Sequence, residues 1–249
     1  MKHFVYPLAA GDGAALTAFL HDPSPEMPER ALRPAVLIFP GGAYYGQSDR
    51  ENEPVAAAFF AQGYHAFALR YTVGEGHHFE EALADAERAI ALIRARGEEW
   101  GVNPEQIAVC GFSAGGHLAA ASGTMGRHRP NAMILCYPCI LDTSSPILAF
   151  PVPSCDAAVD GRTPPAFLFH TRDDGVVPVA NTLRFADALD RAGVSFEMHV
   201  FRTGDHGLSL ADERTAGGRT AMLQPQAAHW FPLCIDWLKQ VFPAGRGEV

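Results

Sequence analysis

The segment 107–122 limits the fold of this chain more strongly than any other part of the sequence. It starts with the apolar run 107–110, continues with Gly-Phe-Ser-Ala-Gly at 111–115, and ends with small residues at 118–122. The apolar run predicts a buried strand and the small residues predict a helix, so Ser113 would lie at the tip of a sharp turn between them. Strand and helix pass close together at such a turn, so the positions two before and two after the serine must be small, and both are glycine. This arrangement is typical of a nucleophile elbow, whose strained backbone exposes the serine hydroxyl.

Apolar runs alternate with helical patterns along the rest of the chain. They predict strands at 35–39, 64–71, 132–137, 164–170 and 195–201, helices at 53–62, 79–96, 179–192 and 226–242, and a turn at 103–105. Such alternation implies an α/β fold with a mostly parallel sheet and helices on both faces. One or two short strands within residues 2–22, around a turn at 10–13, would form an antiparallel N-terminal edge.

The length of the chain fits a single domain over residues 1–249, because α/β folds of this size often form one unit. Segment 143–162 contains three prolines and interrupts the alternation. We interpret it either as a small lid above the sheet or as a plain connecting loop.

Downstream residues supply partners for the serine. A serine hydroxyl needs a base to remove its proton, and the base needs a third group to orient it. In chains with such an elbow, the acid follows the serine in the sequence and the histidine comes last. Asp173 and Asp174 follow the strand at 164–170; Asp174 is preferred because it opens an Asp-x-x-Val-Pro arrangement, whereas its neighbour fits a helix cap. His206 follows the last strand in a glycine-flanked loop where it has little packing role, so we predict a triad of Ser113, Asp174 and His206.

Acyl transfer also needs N–H donors for the oxygen that becomes negatively charged. One predicted donor is the backbone N–H of Ala114, directly after the serine, and the others are expected from the loop 40–44 after the strand at 35–39. A simple Gly-Gly turn is the alternative for this loop, but its place after a buried strand favours the functional interpretation.

Other residues near these positions are candidates for supporting roles. Four of them could line an acyl or leaving-group pocket: Tyr44, Tyr45, Phe112 and Leu208. Core packing is an equal alternative for Phe112. An ion pair between Arg70 and either Glu51 or Glu53 would brace the loop 40–44, and solvated surface charge is the simpler alternative.

Charge and cysteine usage restrict the partners of the chain. Its formal net charge of -9 argues against nucleic acid or an anionic membrane surface. No apolar run approaches membrane-spanning length, and the N-terminus lacks a signal-peptide pattern. Five scattered cysteines, an odd number, favour reduced core thiols in a cytoplasmic protein. We predict no metal and no cofactor, and the sequence leaves open whether the chain forms a homodimer.

These segments resemble the α/β-hydrolase superfamily, and within it the carboxylesterase branch of acetyl-xylan-esterase-like and feruloyl-esterase-like (BD-FAE) proteins. The matching stretches are 39–44, 69–71, 111–119, 174–178 and 204–207, which span most of the chain. The resemblance implies the same triad, and oxyanion donors at Gly42, Ala43 and Ala114. One departure is Pro40, which stands where the usual His-Gly-Gly-Gly motif has its histidine, so the side-chain hydrogen bonds of that histidine are lost.

Residues and resemblance together lead us to expect a serine carboxylester hydrolase of short acyl esters. Acetylated sugars or xylo-oligosaccharides are the favoured small-molecule substrates. An amide or peptide hydrolase of the same fold, arylformamidase-like or aminopeptidase-like, is the first alternative, because the same triad serves both chemistries. A non-catalytic binding protein on this scaffold is the second, and the presence of all three triad residues disfavours it.

Overall fold

The computed structural model describes residues 1–8 and 13–243. Its strands are β1 (Lys2–Pro7), β2 (Ala15–Leu20), β3 (Arg33–Phe39), β4 (His65–Arg70), β5 (Val102–Phe112), β6 (Ala132–Cys136), β7 (Ala166–Thr171) and β8 (Phe196–Phe201). They form one sheet in the order β1-β2-β4-β3-β5-β6-β7-β8. The strands β3 to β8 run parallel, whereas β1 and β2 pair antiparallel with each other and β2 pairs antiparallel with β4. The mostly parallel sheet with an antiparallel N-terminal edge is thereby confirmed; residues 10–12 of the predicted turn lie outside the described residues.

Helices connect the strands and cover both faces of the sheet. They are α1 (Glu53–Ala61), α2 (Phe79–Ala95), α3 (Gly97–Trp100), α4 (Ala114–Thr124), α5 (Ala180–Arg191), α6 (Glu213–Ala216), α7 (Pro225–Ala228) and α8 (Trp230–Val241). Among the described residues, none of these helices combines the length and the apolar composition that spanning a bilayer requires.

The two faces carry separate hydrophobic clusters because side chains alternate along each strand. In β3, Ala35, Leu37 and Phe39 join the cluster formed with α2, α4 and α5. Val36 and Ile38 join the cluster formed with α1 and α8. A strand buried on both faces has no polar side, which explains the continuous apolar runs of the sequence.

The short helices α3 and α6 were not predicted, and the structure differs from the predicted elements in two further places. The helix predicted over 226–242 is divided at His229 into α7 and α8. Pro232 has no backbone N–H and therefore cannot donate to the carbonyl of residue 228, which favours this division. The turn predicted at 103–105 lies inside β5, where the register with β3 shifts between Arg33 and Ala35.

Segment 143–162 is irregular. It contains residues of two short 3₁₀ turns, Asp142–Ile147 and Asp156–Ala158. Ala149 donates its backbone N–H to the carbonyl of Ala43 at 2.9 Å, so the segment contacts the loop after β3. The lid remains a prediction.

Candidate active site

Ser113 lies in the sharp turn between β5 and α4. Its backbone has φ 54° and ψ -117°, a strained conformation for a residue other than glycine. A Cβ atom on Gly111 would lie 2.1 Å from the carbonyl oxygen of Gly115, and one on Gly115 would lie 2.1 Å from that of Phe39. Neither contact is tolerable, so only glycine fits two residues before and two residues after the serine, as the motif predicts.

The structure brings the three predicted triad residues together. Nε2 of His206 lies 2.8 Å from Oγ of Ser113, and its Nδ1 lies 2.7 Å from Oδ2 of Asp174. Asp174 is buried with 7% of its surface exposed, whereas Asp173 lies at the surface. The geometry therefore selects Asp174 between the two neighbouring carboxylates.

The loop after β7 prepares Asp174 to remain ionised. Its Oδ1 accepts the backbone N–H groups of Val176 and Val177, each at 2.9 Å. Burial alone would raise the pKa of Asp174, but the side chains of His170 and His206 and the amide of Val177 favour the charged form and hold this pKa well below its usual value.

The ionised carboxylate determines the tautomer of His206. A carboxylate oxygen only accepts hydrogen bonds, so Nδ1 of His206 carries the proton that Asp174 receives. Nε2 is then an acceptor, and it faces the hydroxyl of Ser113. The ring of Tyr137 lies edge-on to the imidazole with the centroids 5.1 Å apart, which fixes one side of the base.

The loop after β3 passes directly against the nucleophile. A Cβ atom on Gly41 would lie 3.0 Å from Cβ of Ser113. Gly42 and Ala43 follow with positive φ values of 138° and 54°. Among the described residues, no protein acceptor receives the backbone N–H of Gly42, Ala43 or Ala114. These amides are therefore available as donors, which is what the oxyanion prediction requires.

Two buried side chains hold this loop in place of the missing histidine. The hydroxyl of Tyr71 donates to the carbonyl of Pro40, and the carboxylate of Glu51 accepts the N–H of Gly41 at 2.8 Å. The sequence did not predict the Tyr71 contact, and it predicted that Glu51 braces this loop through Arg70 and not through the amide of Gly41. No sequence motif indicates these two contacts, because the loop comes close to these side chains only in the folded chain.

His117 in the first turn of α4 is a further residue that sequence analysis did not place in the site. Its Nε2 lies 2.9 Å from the carbonyl oxygen of Pro153 and its Nδ1 lies 3.0 Å from the hydroxyl of Tyr44. A carbonyl only accepts, so Nε2 carries the proton and Nδ1 accepts from Tyr44. The neutral imidazole thus joins the elbow helix, the loop after β3 and segment 143–162.

We expect this histidine to make the protein less stable in mild acid. Burial lowers the pKa of His117 from 6.5 to about 4. In the unfolded chain His117 takes up a proton below pH 6.5, whereas in the folded chain it resists protonation down to about pH 4. The stability that the neutral ring contributes is complete above pH 6.5 and is lost as the pH falls to 4, by about 3 kcal/mol. Urea unfolding at pH 7, 5.5 and 4.5 measures this loss.

The matched variant is His117→Gln, which keeps a donor and an acceptor but does not titrate. Burial also lowers the pKa of His65 to about 4, so part of the acid loss persists in this variant. The difference between parent and variant isolates His117. An identical dependence on pH in both proteins would contradict the assignment.

Three of the four predicted pocket residues do not line a pocket. Tyr44, Phe112 and Leu208 are fully buried, because each packs in one of the two hydrophobic clusters. The prediction is wrong for them; for Phe112 the packing alternative holds. Tyr45 is 55% exposed, and for this residue a substrate contact stays a prediction.

The predicted ion pair of Arg70 is also wrong. Arg70 is exposed and donates to the carbonyl of Gly13. Glu53 is exposed at the start of α1, whereas Glu51 is 3% exposed. Glu51 does brace the loop after β3, but it does so through a backbone amide and not through Arg70.

Cys139 contacts the nucleophile without competing with it. Its Sγ lies 3.9 Å from Oγ of Ser113, and burial raises the pKa of this thiol to about 12. It therefore stays protonated at neutral pH and is a poor nucleophile. In the described part of the chain, no group of three or more His, Cys, Asp or Glu residues could hold a metal ion.

The chain is similar to known hydrolases over most of its length. The family model of BD-FAE matches residues 24–145, and that of the prolyl oligopeptidase family matches residues 150–232. The chain is 41% identical to the solved structure of MGS-M1, an α/β hydrolase enzyme from a Medee basin deep-sea metagenome library, with 97% of this chain and 98% of that chain covered and a TM-score of 0.92. It is 32% identical to an acetyl ester-xyloside bifunctional hydrolase from Caldicellulosiruptor lactoaceticus, with 96% of each chain covered and a TM-score of 0.82.

A curated relative is the acetylxylan esterase of Xylanibacter ruminicola, which is 28% identical over 231 residues. The alignment covers 84% of this chain and 46% of the esterase. The chain thus spans less than half the length of this and another curated relative that it matches. The near-complete coverage of solved hydrolases, together with the BD-FAE match, shows that the chain belongs to the α/β-hydrolase superfamily, in its carboxylesterase branch.

Proposed function

We propose that this protein is a serine carboxylester hydrolase that cleaves short acyl esters through an acyl-enzyme. One observation carries the proposal: the imidazole of His206 contacts the hydroxyl of Ser113 at 2.8 Å and the carboxylate of Asp174 at 2.7 Å. Both lengths are within hydrogen-bond range, which is the requirement for a base that activates a serine.

In the proposed acylation, Oγ of Ser113 attacks the ester carbonyl while Nε2 of His206 takes the hydroxyl proton. The carbonyl oxygen becomes negatively charged and receives the backbone N–H groups of Gly42, Ala43 and Ala114. Asp174 stabilises the imidazolium that forms. His206 then donates its proton to the leaving alcohol, and the C–O bond of the ester breaks.

In the proposed deacylation, water attacks the acyl group on Ser113. His206 accepts a proton from this water and returns it to Oγ of Ser113 as the acid departs. The same N–H donors stabilise the second oxyanion. His206 carries every proton transfer and the backbone amides stabilise the oxyanions, so the scheme calls for no cofactor.

Acetylated sugars or xylo-oligosaccharides are the proposed substrate class. The names of two relatives support it, an acetylxylan esterase and an acetyl ester-xyloside bifunctional hydrolase. The net charge of -9 suits a neutral substrate better than a polyanion. All five cysteines are free and buried, which supports a reducing compartment such as the cytoplasm as part of the proposal.

An amide or peptide hydrolase is the second candidate. The match of residues 150–232 to the prolyl oligopeptidase family favours it specifically, and both Asp174 and His206 lie within that match. The triad geometry serves both reactions, so the leaving group has to be varied to separate them.

A substrate panel tests the two candidates. We expect kcat/KM to be highest for the acetyl ester of p-nitrophenol and to fall about tenfold or more by the octanoyl ester, because a site that fits an acetyl group excludes longer chains. Acetylated xylose should be cleaved, and matched anilides and N-formyl substrates should react more slowly. Ser113→Ala provides the background rate. Preference for octanoyl would contradict the short-acyl proposal, and faster amide cleavage would favour the second candidate.

A further inference from the structure

Glu51 is a buried carboxylate that has no role in the proposed proton transfers. It lies in the 3₁₀ turn Asp49–Glu51, between the loop after β3 and α1, and is 3% exposed. Its two oxygens serve different parts of the molecule: Oε2 accepts the N–H of Gly41 at 2.8 Å, and Oε1 accepts the hydroxyl of Tyr137 at 2.6 Å. A buried carboxylate is costly unless it is hydrogen-bonded in this way.

Tyr137 carries the connection onward to the base. It directly follows β6, is 1% exposed, and accepts the N–H of Ser209 on its hydroxyl oxygen at 2.8 Å. Burial and the neighbouring Glu51 carboxylate raise the pKa of this phenol well above its usual value. The hydroxyl therefore stays protonated and donates a hydrogen bond to Glu51. Ser209 is three residues after His206, whose imidazole lies against the Tyr137 ring.

Arg50, the neighbour of Glu51, also forms hydrogen bonds with the segment that follows His206. The guanidinium of Arg50 donates to the carbonyl of Gly207 at 2.7 Å and to that of Thr215 at 2.5 Å. The hydroxyl of Ser209 donates to the carbonyl of Arg50 at 2.7 Å. The segments 41–51 and 206–215 are therefore joined by hydrogen bonds in two ways, directly through Arg50 and through Tyr137 from Glu51.

We propose that Glu51 is a positioning residue for ester hydrolysis, holding the oxyanion N–H donors and the His206 imidazole at a fixed separation through Gly41 and Tyr137. This inference rests on the proposed function. The donors start at residue 42 and the base is residue 206, so no local chain geometry relates them. Oxyanion donors are effective only when they are already in place as charge develops, and the network supplies that constraint.

Glu51→Gln tests the proposal at nearly constant volume. Its amide nitrogen cannot accept a hydrogen bond, so the variant loses either the bond that Gly41 donates or the bond that Tyr137 donates. We expect kcat for p-nitrophenyl acetate to fall about 10- to 100-fold, less than for deletion of a donor itself, with KM changed by less than about threefold. Affinity for a trifluoromethyl ketone, which forms an oxyanion on Ser113, should fall by a similar factor. Glu53→Gln, two residues away and exposed, is the matched control and should behave like the parent.

Tyr137→Phe removes the same link from the other side. We expect it to lower kcat in the same range, and the double variant Glu51→Gln/Tyr137→Phe to lose no more than about the larger single loss, because both changes break one connection. If the kcat losses of the two single variants were fully additive in the double variant, Glu51 and Tyr137 would not act through one connection. A kcat of Glu51→Gln within twofold of the parent, or a loss of kcat without loss of ketone affinity, would overturn the positioning role.

Hydrogen exchange provides a readout that does not depend on turnover. We expect faster exchange of backbone amides in both 41–48 and 204–210 in Glu51→Gln, and no change in Glu53→Gln. Unchanged exchange in either segment would overturn the inference. If the parent shows no Ser113-dependent ester hydrolysis, it is the proposed function that fails, and exchange still decides whether Glu51 joins the two segments.

Discussion

Replacing Ser113 by alanine is expected to lower kcat for p-nitrophenyl acetate by roughly 10⁵- to 10⁶-fold. The reason is that the variant has no oxygen to attack the carbonyl, so His206 and Asp174 have no nucleophile to activate. The remaining N–H donors would still support a small rate above that in water. Single-turnover kinetics and the steady-state rate, both measured on the same preparation, check the result.

The variant should remain folded, because Ser113 lies at a turn and loses only a hydroxyl that is bonded to His206. Thermal unfolding of parent and variant serves as the control. An organophosphate should modify Ser113 in the parent and no serine in the variant, as read by peptide mass spectrometry. If Ser113→Ala matches the parent on every ester, or the parent resists the reagent while folded, the chain acts by another mechanism or is a binding protein.

Replacing Asp174 by asparagine is expected to lower kcat by roughly 10⁴-fold. An asparagine can present its amide N–H₂ to Nδ1 of His206, which favours the tautomer with the proton on Nε2. That tautomer cannot accept the proton of Ser113. The substitution also removes the negative charge that stabilises the imidazolium. Both proton abstraction by His206 and stabilisation of the transition state are therefore impaired.

Asp173→Asn is the matched control for this experiment, because it makes the same chemical change one residue earlier on an exposed side chain. We expect its kcat to stay within about twofold of the parent. The kcat of both variants should be compared between pH 6 and 9. A larger loss in Asp173→Asn than in Asp174→Asn would transfer the role to the other carboxylate.

The buried polar groups around the site show where sequence reasoning ended. Glu51, Tyr137 and His117 have ordinary neighbours in the chain. The sequence predicted a bracing role for Glu51 only through an ion pair with Arg70, and it placed Tyr137 and His117 only within a strand and a helix. Each of them bonds to a backbone group of a residue elsewhere in the chain: Gly41, Ser209 and Pro153, respectively. Backbone donors and acceptors occur at every residue, so no pattern of side chains indicates which of them a buried group will meet.

The succession of strands and long helices along the chain, the elbow at Ser113 and the candidate base His206 could all be predicted from the amino-acid sequence. These features depend on local signals: apolar runs for strands buried on both faces, and small residues where strand and helix must pass. The burial of Asp174 beside an exposed Asp173, and the packing of Tyr44, Phe112 and Leu208 in the core, became visible only in the folded chain. Burial and hydrogen bonding depend on which segments the sheet brings together. The pattern of residues along the chain does not show which distant segments will meet.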